Sequence, residues 1–163
     1  LTHNNDVNDE RYKKFLSNLM LPLIDRIKLK SIGLDYGCGP GPALSLMLRE
    51  KGYQMFNYDP FFHPKKSNLL KKYDFISCSE TVEHFHNPFY EFTRFNELLN
   101  VGGIIGIMTN FHSKENIFEN WYYIKDPTHV VFYSKNTFLI IAKMFNIIIR
   151  TWEPVRIMTC NTQ

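Results

Sequence analysis

The ten residues from Gly33 to Pro42, Gly-Leu-Asp-Tyr-Gly-Cys-Gly-Pro-Gly-Pro, constrain this chain more than any other segment. An apolar, strand-like run leads into them and a helical pattern follows. Glycines at the alternate positions Gly37, Gly39 and Gly41 let the backbone turn sharply and approach a ligand where side chains would collide. The order strand, glycine loop, helix predicts a bound cofactor at the loop. A dinucleotide fingerprint is excluded by spacing, because it needs G-x-G-x-x-G/A and the third small residue counted from Gly37 falls on Pro42.

Two further segments belong with the loop. The next strand-like run, Tyr53 to Tyr58, ends in Asp59, 22 residues beyond Gly37 and near the ~20-residue distance expected when one βα unit separates a loop from its acid. Tyr73 to Cys78 is a short, mostly apolar run of β-favouring residues, read as a buried parallel strand. Its carboxyl end carries Ser79, Glu80, Thr81, Glu83 and His84. Ligands gather outside the carboxyl ends of strands in open α/β sheets, so three strand ends are expected to meet at one crevice.

The D-x-G-x-G-x-G pattern from Asp35 to Gly41 resembles motif I of the class I S-adenosylmethionine (SAM) methyltransferases. Residues 73 to 88, with E-x-x-E-H from Glu80 to His84, resemble that family's fourth-strand motif, and LNVGG from Leu99 to Gly103 resembles its L-x-P-G-G turn before strand five. The match runs in order over about residues 30 to 140. It implies an α/β, Rossmann-like three-layer sandwich with a mainly parallel sheet and an antiparallel closing strand, and SAM as cofactor. By the same resemblance, Asp35, Gly37, Cys38, Gly39 and Gly41 face the methionyl part, Asp59 with Pro60 and Phe61 holds the nucleoside, and Ser79, Glu80 and Thr81 flank the cofactor. The catalytic candidates are His84 and His129, the latter in WYYIKDPTHVVFYS (residues 121 to 134), where the family places acceptor-contacting loops. Methyl transfer needs no protein nucleophile, but a hydroxyl acceptor needs a base, and a positioned histidine serves that role. A histidine packed with one nitrogen hydrogen-bonded is the bland alternative at both positions.

With ERYKKFL, YDPFF and W-Y-x-x-x-D-P-T-H-V-x-F-Y, the whole pattern is similar to small bacterial methyltransferases near the ubiquinone-biosynthesis O-methyltransferase group. The expected acceptor is a small molecule. Glu80, Glu83, His84 and His129 together also resemble the set of small-RNA 2′-O-methyltransferases, which would make a divalent-metal site and an RNA substrate the alternative. Because E-x-x-E-H also occurs in methyltransferases without a metal, none is assigned. A non-catalytic SAM-binding module is a third reading.

Composition narrows the field. Hydrophobic content of 44% with 21% charged residues is ordinary for a globular chain. Net charge of +3, with lysine pairs spread along the chain, reads as solvated surface rather than a phosphate-tracking stripe, so nucleic acid is not the expected partner. No apolar run approaches the ~18 residues of a membrane span. Three cysteines without metal-ligand spacing favour a reduced, cytoplasmic setting, with Cys38 a small filler in the loop. Leu1 in place of a methionine implies residues upstream.

The predicted organisation is one domain over residues 1–163, with residues 1–30 a helical arm in which Pro22 kinks or splits the helix. Strands are expected over 31–36, 53–58, 73–78 and 104–109. One helix runs from Pro42 to Lys51-Gly52. A second opens at Asn87-Pro88, turns Phe92, Phe95, Leu98 and Leu99 inward and stops at Gly102 and Gly103. Ser134 caps a helix reaching Phe145, and residues 147–151 and 155–160, split by Pro154, form a closing hairpin. Only 13 residues lie between Asp59 and Tyr73, too few for helix, strand and helix, so the family's third strand is short or missing. Adenine would then rest on Phe61 or Phe62, and His86 and His112 would lie on the surface.

Overall fold

The computed structural model describes residues 6–112, 118–151 and 155–160. Pro154 and Leu1 lie outside them. Six strands form one sheet: β1 (Ile32–Tyr36), β2 (Gln54–Tyr58), β3 (Tyr73–Ser79), β4 (Leu99–Met108), β5 (Ile147–Thr151) and β6 (Val155–Cys160), in the order β2-β1-β3-β4-β6-β5. The first four are parallel, and β6 pairs antiparallel with both β4 and β5, which is the expected closing hairpin.

Period-two side-chain alternation splits the core into two layers. On one face Phe75, Ile104 and Met108 pack under α1 (Glu10–Ile24) and α2 (Ala43–Glu50) through Leu16, Leu19, Leu23, Leu44 and Leu48. On the other, Leu34, Ile76, Cys78, Ile105 and Ile107 meet α3 (Pro88–Leu98) and α4 (Lys135–Met144) through Phe92, Phe95, Leu98, Phe138 and Ile141. Gly33 is required by this packing, because a Cβ there would lie 2.2 Å from the Phe75 ring.

Helix boundaries follow their caps. Asp9 accepts from the Arg11 and Tyr12 amides, Asn87 from Tyr90, and Ser134 forms a capping box with Thr137. Two expectations are corrected. Pro22 does not split α1: it sits in the last turn, where few residues follow it in the helix, the Asp25 amide still donates to the Leu21 carbonyl, and the Arg26 guanidinium donates to the Pro22 carbonyl at 2.6 Å. The helix before β4 ends at Leu98 rather than at the glycines. Leu99 turns extended to pair with Tyr73, and the three extra residues accommodated before Ile104 meets Phe75 form a register shift around Gly102, whose φ is +75°.

No strand forms between β2 and β3 among the described residues, only a 3-10 turn at Lys66–Leu70, so β2 is an edge. The Gln54 amide and the Tyr58 carbonyl point toward β1, so the alternate residues Met55 and Asn57 turn their carbonyls outward. Arg49 Nη2 donates to Met55 O at 2.9 Å and Asn68 Nδ2 to Asn57 O at 3.0 Å. Side chains thus fill acceptor sites that a neighbouring strand would otherwise satisfy.

Candidate active site

The carboxyl ends of β2, β1, β3 and β4 lie side by side, and the segments leaving them build the crevice. From β1, Gly37 (φ +74°) and Gly39 (φ +62°) take left-handed conformations that favour glycine. The Gly37 amide donates to Tyr58 O at 2.8 Å, tying the loop to β2. Asp35 beneath it is buried, accepting from Ser77 Oγ at 2.9 Å and from the Ser45 amide in the first turn of α2. Burial pushes its carboxyl up to about 6. Asp35 therefore fixes the loop and α2 from inside the fold. Cys38 is buried and its thiol is pushed well up by burial, which suits a filler rather than a nucleophile.

Asp59, 7% exposed, closes the next wall. Oδ2 accepts from the Gly39 amide at 3.1 Å, while Oδ1 accepts from Phe61 N at 2.8 Å and Phe62 N at 3.0 Å. The two phenylalanines are 84% and 55% exposed, so packing in the core does not account for them. α2 has Pro42 at its N-cap and no side-chain cap, and the buried Ser45 hydroxyl has no hydrogen-bond partner among the described residues. An uncapped helix start beside a glycine loop attracts a carboxylate, and the Asp59 carboxylate keeps acceptor capacity on Oδ2 for a hydroxyl. These groups fit the amino-acid and ribose ends of SAM.

The segment leaving β3 carries the densest chemistry. Glu80 adopts φ +46°, unusual for a side-chain-bearing residue, and Thr81 Oγ1 donates to Ser79 O at 2.9 Å and Gly37 O at 3.2 Å. Glu83 is fully buried: Oε2 accepts from Thr109 Oγ1 at 3.1 Å and Oε1 from the Tyr123 hydroxyl, while its backbone carbonyl accepts from Val130 and Val131. The Tyr123 hydroxyl also lies 3.2 Å from Glu80 Oε2. Burial first, then the charge of Glu83, raise the Glu80 carboxyl to about 8, opposed by the Tyr123 hydrogen bond.

His84 and His129 lie close together, ring centroids 4.9 Å apart. Each is pinned at Nδ1 by a backbone carbonyl, His84 by Thr128 O at 2.9 Å and His129 by Tyr123 O at 2.7 Å. That contact makes Nδ1 the protonated nitrogen in a neutral ring and leaves the lone pair on Nε2. The D-P-T-H turn explains the placement: Asp126 Oδ1 accepts from both the amide and the hydroxyl of Thr128, setting the carbonyl that holds His84. Donor atoms of Glu83, His84 and His129 lie within 4.8 Å of one another, and Glu80 is not part of that group.

Three contributors escaped the sequence reading. Tyr123 and Thr109 are buried around Glu83, and Tyr12 on α1 lies near enough to Asp35 and Glu80 for their charges to reinforce burial in raising its hydroxyl to about 12. Tyr123 stands in the same W-Y-Y-I-K-D-P-T-H run as His129, six residues earlier, which is the one signal that would have found it. His112, expected on the surface, is half-buried against Phe118 and Trp121 with Nε2 unpartnered among the described residues. No helix among the described residues is long and apolar enough to cross a membrane.

Known proteins bear on this geometry at two levels. The family model described as "Methyltransferase domain" matches residues 8–146. No curated protein matches the sequence significantly. Among solved structures, the chain is similar to a SAM-dependent methyltransferase from Archaeoglobus fulgidus at 20% identity and TM-score 0.64, covering 85% of this chain and 70% of that one. A methyltransferase solved with the Trm112 activator of Haloferax volcanii is 12% identical with TM-score 0.68, covering 96% of each chain. Coclaurine N-methyltransferase, solved with N-methylheliamine and S-adenosylhomocysteine (SAH), is 16% identical with TM-score 0.58, and the chain spans half of its length. Fold, crevice and family model agree: the chain belongs to the methyltransferase-domain family and is a SAM-dependent methyltransferase.

Proposed function

We propose that this methyltransferase modifies a small molecule held at the carboxyl ends of β3 and β4. The methionyl end of SAM lies against Gly37, Cys38, Gly39, Gly41 and the start of α2, with Asp35 fixing that loop from below. Asp59 and Pro60 hold the ribose, Phe61 or Phe62 covers the adenine, and Ser79, Glu80 and Thr81 line the donor's flank. His84 and His129 border the acceptor. Bound SAM supplies an electrophilic methyl group on a sulfonium. The chain orients the acceptor, excludes water and takes a proton where the acceptor carries one.

The observation that carries this reading is the roof over the crevice. Residues 118–133 fold back on the end of β3, with Trp121 and Tyr123 buried and the Val130 and Val131 amides bound to Glu83 O. Such a cover suits an enclosed acceptor better than a nucleic-acid strand tracked along an open basic groove. A cytoplasmic setting accords with the buried free thiols of Cys38 and Cys78.

Equilibrium dialysis with SAM and SAH tests the donor half. Asp59→Ala is expected to weaken SAH binding at least about tenfold, since it removes a charged acceptor and the tether of Gly39. Unchanged affinity would remove Asp59 from the binding site. Incubation with a panel of small acceptors, read as SAH release, tests the other half, and release only with RNA would overturn it.

A further inference from the structure

Glu80 and Glu83 are neighbouring carboxylates with different roles. Glu83 is fully buried and both oxygens are taken, by Tyr123 and Thr109. Glu80 is half-buried, and Tyr123 is its one hydrogen-bonding side chain among the described residues, reached through Oε2 alone. The groups that face Glu80 are Glu83 beside it, Tyr122 and Tyr123 from the roof and Tyr12 from α1, none of them cationic. Asp35, by contrast, has Arg49 near enough to stabilise its charge, and Asp126 has His129 and His84. Two acids therefore meet in a poorly solvated site: the His84 and His129 imidazoles approach Glu83, and no lysine or arginine among the described residues balances Glu80.

The walls are aromatic. Tyr123 lies 5.0 Å from Trp121, 6.0 Å from Tyr122 and 4.1 Å from His129, ring centre to ring centre. Negative charge beside an aromatic cluster complements a cation, and a compact ammonium gains from both.

We propose that the acceptor is an amine, bound as its ammonium ion against Glu80, whose carboxylate removes the proton that must leave nitrogen before the methyl group arrives. The inference rests on the methyl-transfer reading of the crevice and moves Glu80 from the donor's flank to the acceptor. The ammonium gives one N–H proton to a Glu80 oxygen, and the bond's electron pair becomes the nitrogen lone pair. That lone pair forms the N–C bond while the C–S bond breaks, its electrons staying on sulfur to give neutral SAH. The positive charge ends on the methylated ammonium, and Glu80 returns its proton to water. No metal or oxidant is needed. His84 and His129 then act as acceptor walls.

Proton release provides a readout independent of turnover. With its carboxyl raised to about 8, Glu80 is mostly protonated at pH 7, and an arriving ammonium must displace that proton. Calorimetry on the SAH-loaded protein, repeated in buffers of different ionisation enthalpy, counts it. The probes are benzylamine, 2-phenylethylamine and 1,4-diaminobutane, each against its alcohol counterpart. At least one amine should bind more tightly than its alcohol and release about one proton at pH 7, falling toward zero above pH 9. Glu80→Gln should abolish the release and weaken the amine about tenfold or more while leaving SAH affinity unchanged. Retained SAH binding also reports that the variant is folded, and Glu80→Asn, which better tolerates the left-handed backbone, serves if Gln does not. Amines that bind no better than alcohols, or release no proton, overturn the proposal and leave the methyltransferase reading intact. Equal loss of SAM and amine affinity in Glu80→Gln overturns it in favour of a contact with the donor sulfonium. Failure of the parent protein to bind SAH refutes the methyl-transfer reading itself.

Discussion

Thr81 fills the space that a side chain on Gly37 would occupy: a Cβ added there would lie 2.1 Å from Thr81 Cγ2, and the Thr81 hydroxyl donates to Gly37 O at 3.2 Å. The glycine loop after β1 is thus locked against the segment that presents Glu80. Gly37→Ala combines this clash with a φ of +74°, and the two together are expected to cost upwards of about 2 kcal/mol of stability. Removing the obstacle in Gly37→Ala/Thr81→Gly should recover about 1 kcal/mol relative to additive single effects. Urea denaturation of the four proteins measures the coupling, and strict additivity would show that the loop yields without involving Thr81.

Asp35 makes stability depend on pH in a direction opposite to most acids. Its folded value of about 6 lies above the ordinary 3.8, so the native state holds a proton that the unfolded state has released between those values. The unfolded state then binds fewer protons, and stability falls as pH rises through that window, by about 3 kcal/mol at most. Glu80, raised to about 8, adds a loss of the same sign that continues to higher pH. Asp35→Asn isolates the first contribution: chemical denaturation at pH 4 and pH 7 should show a smaller decline than in the parent. An identical decline would mean that Asp35 is not the buried group responsible.

Backbone requirements were the legible part of the sequence. Alternating glycines after an apolar run, an acid one βα unit later and a third apolar run ending in E-x-x-E-H placed three strand ends correctly, because each is a local demand written in consecutive residues. The missing strand was legible too, since 13 residues between Asp59 and Tyr73 cannot hold helix, strand and helix. What was hidden depends on distant parts of the chain. Leu99 reads as the last inward residue of a helix until Tyr73 offers it a strand partner. Tyr123 reads as one aromatic among many, and its bonding to Glu80 and Glu83, about 40 residues away, arises only from the fold.

The edge of β2 offers the last prediction, because a missing strand leaves a liability that must be handled by something else. Outward carbonyls on an uncovered edge recruit strands from other molecules. Here Arg49 and Asn68 hold the Met55 and Asn57 carbonyls, and Asn68 is itself braced, its carbonyl accepting from the Tyr73 hydroxyl at 2.7 Å. Arg49→Met keeps the length and apolar stem but removes the donor, and Asn68→Ala removes the other. Each loss should cost about 1 kcal/mol of stability, the net worth of one hydrogen bond. Only the pair frees both carbonyls at once, so the double variant should show concentration-dependent light scattering well above that of either single variant at equal unfolded fraction. Scattering that merely tracks lost stability would mean that the 3-10 turn at Lys66–Leu70 shields the edge by bulk, with the two hydrogen bonds contributing stability alone.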